Sequence, residues 1–250
     1  MAPAKRKTTA AERRVRQDLA ACYRLVAHFR MTDLIYTHIS ARLPGRESRF
    51  LINPYGLLFE EITASSLITV THDGRIVDDP TGIGINPAGF VIHSAIHRAR
   101  HDVGCVIHTH TAAGLAVAAQ KHGLLPLSQH AMRFTDCLAY HDYEGVALDM
   151  DEQKRLVRDL GKRDAMILRN HGLLACGASV SDAFDVIYYL ERACQAQVGA
   201  MGGGAVLSIP PPAVARKVAR QFAQPDRISP PKAWAAALRL VDRIDPTYKS

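Results

Sequence analysis

Cys105-Val106-Ile107-His108-Thr109-His110 decides how this chain is read. An apolar run passes straight into two histidines one residue apart, which predicts a strand over Val103 to His110. In an extended chain the side chains at i and i+2 share a face, so His108 and His110 can meet one ion. A third histidine, His171, lies in the turn Arg169-Asn170-His171-Gly172, between the short apolar runs Ala165 to Leu168 and Leu173 to Cys176. Three imidazoles with one coordination position left open describe a catalytic divalent-metal site; a structural zinc is closed, usually by thiolates. A plainer reading competes with this one. With 12 histidines among 250 residues such a pair arises by chance, and two half-buried histidines at a strand end need no metal.

Outward from this strand, helical and extended periodicities alternate. Leu19, Cys22, Val26 and Phe29 recur at helical spacing and predict a helix over Ala11 to Arg30. Extended pieces follow at Ile39 to Leu43, Arg49 to Asn53 and Leu67 to Thr71, and Asp73-Gly74 turns the last into Arg75 to Val77 as a hairpin. Phe90 to Arg100 is amphipathic and is entered through Asn86-Pro87. Ala112 to Gln120 and Asp151 to Arg163 are further helices, and Ser181 is expected to cap a long one reaching about Met201. Gly202-Gly203-Gly204 and the prolines at 210 to 212 open a tail with two helical stretches, Ala213 to Phe222 and Lys232 to Ile244. The expected organisation is a disordered basic N-terminus over residues 1–10, one α/β domain over 11–205 and a C-terminal arm over 206–250. Hairpins mixed with helices favour a central, mostly antiparallel sheet over a doubly wound parallel one.

Composition narrows the partners. A 48% hydrophobic and 22% charged chain has the material for a soluble core. No apolar stretch is long enough to span a membrane as a helix, and no apolar segment follows Lys5-Arg6-Lys7, as a secretory signal requires. Five scattered cysteines without a C-x-x-C pair suit free thiols in a reducing compartment, so a cytoplasmic protein is expected. The net charge of +7 gathers near the ends, and with only 6% aromatics there is no basic stripe interleaved with stacking rings. Nucleic acid is therefore not an expected partner.

His108-Thr109-His110, Gly123-Leu124-Leu125-Pro126 and Arg169-Asn170-His171-Gly172 together resemble the class II aldolase/adducin family, over roughly residues 15 to 205. Asn53-Pro54-Tyr55-Gly56-Leu57-Leu58, His93-Ser94-Ala95-Ile96-His97 and Ala139-Tyr140-His141-Asp142-Tyr143 are similar to the head of adducin in particular. The resemblance implies a three-layer α/β/α fold with a central antiparallel sheet, and a homotetramer with active sites at subunit interfaces. It also implies zinc on His108, His110 and His171, polarising a substrate carbonyl; manganese and iron are the alternatives that imidazole ligation does not separate.

The sequence also departs from the family. The position of the aldolases' acid/base glutamate, counted back from His108, is Gly89, which has no proton to exchange. The nearest upstream carboxylates, Glu60, Glu61, Asp78 and Asp79, read as solvated loop charges. The phosphate cradle reads Thr37-His38, Tyr55-Gly56 and Pro87-Ala88, poor in small hydroxyls and free N–H groups, so a sugar phosphate is not the expected substrate. The partner-subunit tyrosine position of the aldolases matches His130, a candidate proton donor or substrate anchor, and His38 is a candidate carboxylate anchor. His93 and His97 are expected to pack behind the site, and Tyr248 in the tail to close over a pocket. The expectation is a metal-dependent lyase, a decarboxylase or an aldolase-like enzyme, on a small carboxylated carbonyl or hydroxy compound. Two alternatives stand beside it: a non-catalytic, adducin-like module that binds actin or another protein, and an iron-dependent oxidative decarboxylase.

Overall fold

The computed structural model describes residues 8–45, 48–145, 150–224 and 230–250. The disordered start expected over 1–10 falls, for residues 1–7, outside them. In chain order the helices are α1 (Ala10–His28), α2 (Pro87–Ala99), α3 (Ala112–Ala118), α4 (Gln129–Met132), α5 (Met150–Leu160), α6 (Val180–Met201), α7 (Pro212–Phe222) and α8 (Pro230–Ile244). The strands are β1 (His38–Arg42), β2 (Arg49–Ile52), β3 (Ile68–Thr71), β4 (Ile76–Asp78), β5 (Cys105–Thr109), β6 (Leu138–His141), β7 (Ala165–Leu168) and β8 (Gly172–Gly177). They form one sheet in the order β4-β3-β2-β1-β5-β8-β7-β6. Every neighbouring pair is antiparallel except β6 and β7, so the sheet is mostly antiparallel, as expected.

Alternation along the strands builds the three layers. Ile39, Ala41, Cys105, Ile107, Leu173 and Ala175 point to one face, where α1 and α6 bury Leu19, Cys22, Val26, Ile187 and Leu190 against them. Val106, Met166, Leu174 and Cys176 point to the other, against Ile92 and Ile96 of α2 and Leu156 and Leu160 of α5. The C-terminal α8 docks on α1 and α6, burying Trp234 and Val241 in the first of these clusters.

Two expectations need correction. The long α6 is capped by Ser179, not Ser181: the Asp182 N–H donates to the Ser179 hydroxyl at 3.2 Å. Ser179 keeps an extended backbone, which an N-cap requires, while Ser181 lies inside the helix. β6 was not anticipated. Its residues alternate half-buried and buried, so Leu138-Ala139-Tyr140-His141 shows no apolar run.

Candidate metal centre

His108 lies one residue before the end of β5, on the α2 face of the sheet with Val106. Its Nδ1–H donates to the Leu173 carbonyl at 2.9 Å, across the β5–β8 ladder. His110, just past the strand, donates from Nδ1 to Asp33 Oδ2 at 2.9 Å. With both Nδ1 atoms engaged, the two Nε2 atoms face each other 2.8 Å apart. Two imidazole lone pairs at that separation repel unless a cation, a proton or a metal ion, lies against both. The His171 ring stands 4.8 Å from the His108 ring and 5.0 Å from that of His110, centre to centre. One nitrogen from each of the three lies within 4.8 Å of the others, the one such ligand group among the described residues.

The β7–β8 turn can come this close because of its backbone. Asn170 takes a left-handed φ of 56°, and at Gly172 (φ 156°) a Cβ would overlap the Thr109 carbonyl oxygen. Burial, followed by the neighbouring imidazoles, holds the His108 pKa well below the ordinary histidine value, and burial with His110 and His141 lowers His171 to about 4. Neutral imidazoles are what a metal needs. The donor set therefore fits a divalent ion held by His108, His110 and His171. Asp33 orients His110, so Asp33→Ala is expected to weaken zinc binding by about 10–100-fold, measured by calorimetric titration. An unchanged affinity would show that His110 is held another way.

The trio opens into a cavity of about 380 Å³, also lined by Asp33, Tyr36, His38, Tyr55, Ala88, Ile92 and Tyr143. No lysine or arginine is among the described residues that line it, so a phosphate dianion finds no cationic side chain of that kind among them. His38 lies beside His108 across the β1–β5 pairing, their ring centres 5.2 Å apart. Its ring fills the place of the missing carboxylate: a Cβ on Gly89 would overlap the His38 imidazole. Gly89→Ala is accordingly expected to destabilise the fold by about 1–3 kcal/mol through overpacking. In a His38→Ala background the same change should cost much less, a coupling that a double-mutant cycle of denaturant unfolding reads directly.

Behind His38 the α2 histidines are placed as expected, and they do more than pack. His38 Nδ1 lies 2.8 Å from His93 Nε2, His93 Nδ1 is 2.6 Å from Ser40 Oγ, and Ser40 Oγ is 2.8 Å from His97 Nε2. Ser40 escaped the sequence reading, although it sits two residues from His38 and so on the same strand face. Also missed was Asp33, and a carboxylate pair on α5 next to the site: Asp159 accepts from His141 Nδ1 at 2.8 Å, with Glu152 3.7 Å from the ring's other nitrogen. Two of the upstream carboxylates are used locally. Glu61 accepts from the Leu58 N–H, and Asp79 from Thr81, Gly82 and Gly84.

Two expected residues lie away from the pocket of their own chain. His130 sits on α4 against Tyr189 of α6, ring centres 4.9 Å apart, with Nδ1 buried and without a hydrogen-bond partner among the described residues. Tyr248 does not close over the cavity. It is buried against the core, its hydroxyl donates to Asp242 at 2.9 Å, and its carbonyl accepts from the Ala64 N–H.

The Class II Aldolase and Adducin N-terminal domain profile matches residues 17–198, most of the chain. The chain belongs to the class II aldolase and adducin family. It is 51% identical, over 97% of its own length and 95% of the relative's, to a Pseudomonas aeruginosa protein provisionally named a class 2 aldolase. Mouse alpha-adducin is 48% identical over 75% of this chain, a region that makes up 26% of the adducin. The crystal structure of an aldolase II superfamily protein from Pseudomonas syringae superimposes with a TM-score of 0.92 at 53% identity, covering 97% of each chain. L-fuculose 1-phosphate aldolase from Glaciozyma antarctica shares the fold, with a TM-score of 0.85 at 24% identity over 98% of this chain and 97% of that one. Among the described residues no helix is long and apolar enough to cross a membrane.

Proposed function

We propose that this family member is a metal-dependent carbon–carbon lyase acting on a small carboxylated carbonyl or hydroxy compound rather than a sugar phosphate. The observation that carries the reading is the convergence of His108, His110 and His171 nitrogens at one point of a cavity. A divalent ion, zinc before manganese or iron, would supply Lewis acidity there, drawing negative charge onto a substrate carbonyl oxygen. The chain's own contribution is orientation. The Leu173 carbonyl and Asp33 hold His108 and His110 in the tautomers that turn Nε2 toward the site. Tyr36, Tyr55 and Ile92 give the cavity walls suited to an organic body rather than a phosphate. The assembly is a homo-oligomer, a tetramer in this reading, in which His130 of a neighbouring copy delivers a proton to the product.

The test is to incubate the zinc-loaded protein with a panel of small 3-hydroxy and 2-oxo carboxylates, following release of carbon dioxide or of an aldehyde. Turnover that disappears in His171→Ala supports the lyase, and absence of turnover across the panel with zinc, manganese and iron counts against it. The 48% identity to alpha-adducin favours a second reading, a module that binds a protein such as actin. Co-sedimentation with actin that survives His171→Ala would favour that reading.

A further inference from the structure

The cavity beside the three histidines holds more than a metal ion and a small acid. At about 380 Å³ it falls within the roughly 300–1,000 Å³ of pockets that take drug-sized ligands. Away from the histidines its walls are largely aromatic: Tyr36 follows α1, Tyr55 follows β2 and Tyr143 follows β6. Ala88 and Ile92 of α2 add apolar surface. Tyr36 and Tyr55 make a corner, their ring centres 6.4 Å apart and their planes inclined by 59°. Tyr143 stands against the histidine trio, its ring centre 6.2 Å from that of His171. Tyr36 and Tyr143 line a concave site and yet are 50% and 53% exposed, so a large aromatic surface is left uncovered beside the histidines.

The corner is held in place by the backbone on both sides. Leu34, two residues before Tyr36, takes a left-handed φ of 46°, which a bulky residue adopts only when its surroundings impose it. The Tyr36 N–H closes that turn on the Asp33 carbonyl at 2.9 Å, and the Asp33 carboxylate holds His110. One wall is therefore tied to a metal ligand. On the other side the Tyr55 N–H donates to the Gly84 carbonyl at 2.8 Å. Walls fixed before binding need little further ordering to take a ligand.

Beyond the histidines, the polar side chains of the lining suit neither a second anion nor a polyol. Asp33 is engaged by His110, and Asn86 Oδ1 accepts from the Ala88 N–H at 3.1 Å as the cap of α2. The corner offers ring face and ring edge together. Aromatic pairs prefer offset and edge-to-face arrangements with centres about 4.5–7 Å apart, and two planes inclined by 59° present both to one inserted ring.

We propose that the substrate of this site is an aryl-substituted oxo or hydroxy acid, its ring lodged in the corner of Tyr36 and Tyr55 and its oxygens turned to the three histidines. The assignment rests on the lyase reading for the reaction and on the histidine trio for the anchor. The ring takes the place of a phosphate as the handle by which the substrate is held, and Tyr36 and Tyr55 determine specificity.

Three hydroxamates, metal-chelating stand-ins for the acid end, test this by calorimetric titration of the zinc-loaded full chain: acetohydroxamate, phenylacetohydroxamate and cyclohexylacetohydroxamate. The phenyl compound is expected to bind roughly tenfold or more tightly than the methyl one, and about threefold or more tightly than the cyclohexyl one. Tyr36→Ala should remove most of the phenyl gain and leave acetohydroxamate affinity unchanged, while Tyr36→Phe, which keeps the ring, should preserve the gain. Equal affinities for the phenyl and methyl compounds overturn the proposal, and so do equal affinities for the phenyl and cyclohexyl compounds. Tyr36→Phe losing as much as Tyr36→Ala also overturns it, because the hydroxyl rather than the ring would then make the contact. In each of these results acetohydroxamate still binds, and the metal centre stands. If none of the three binds, the metal reading fails and the proposal with it. Absence of turnover with any substrate would leave these affinities unaffected.

Discussion

Lowering the pH from about 7.5 to about 5.5 is expected to cost the metal-free protein several kcal/mol of stability. Burial holds His38, His93 and His97 well below the ordinary histidine pKa, with neighbouring charges adding to the effect. In the unfolded chain each titrates near about 6.5. A group whose pKa is lowered by folding favours the native state above the unfolded value and loses that contribution as the pH falls below it, because the unfolded chain then binds the extra proton. Each such histidine adds a slope of up to about 1.4 kcal/mol per pH unit below about 6.5. Glu152 and Glu191, raised by burial, act in the opposite sense, so the test must isolate the histidines. Denaturant unfolding as a function of pH, in the wild type and in His97→Gln, does so. The variant's slope between about pH 6 and 5 should be shallower by close to one proton. Equal slopes would mean that His97 is protonated in the native state.

His171→Ala is expected to abolish zinc-dependent stabilisation. An ion that binds only the native state stabilises it by about 4 kcal/mol at a thousandfold excess over its Kd. Wild-type protein should therefore melt several degrees higher with zinc than with a chelator. Removing one of three ligands should weaken binding by more than the about 10–100-fold that loss of an orienting partner costs. The hydrogen bond of His171 in the β7–β8 turn runs from its backbone N–H to the Leu168 carbonyl, which alanine keeps, so the metal-free variant should melt close to the metal-free wild type. A variant that keeps the zinc-dependent shift would show that the ion sits elsewhere.

The fold was largely legible because its strands carry distinct signals. β5 and β7 are apolar runs, β3 and β4 meet at Asp73-Gly74, and Gly172 marks the close approach of the β7–β8 turn to β5. β6 was hidden because half of each alternation is only partly buried, and a four-residue strand leaves no period to detect. The α6 cap was misplaced between two serines. Ser179-Val180-Ser181-Asp182 puts an acidic residue three after the first of them, a capping pattern that pointed to Ser179. Within the site, the trio and the loss at Gly89 could be read from spacing together with the family resemblance. What replaced the lost carboxylate could not, because His38 meets Gly89 only through the contact of β1 with α2. Asp33 and Ser40 were unreadable for the same reason: a lone aspartate in a loop and a serine in a strand acquire meaning only from partners distant in sequence.

Calorimetric titration of the metal-free chain with zinc tests the central claim most directly. The three-histidine centre predicts one ion per chain bound more tightly than about micromolar, with binding lost in His108→Ala and in His171→Ala while both variants remain folded. An absence of binding at micromolar zinc, or binding that both substitutions leave intact, would contradict it.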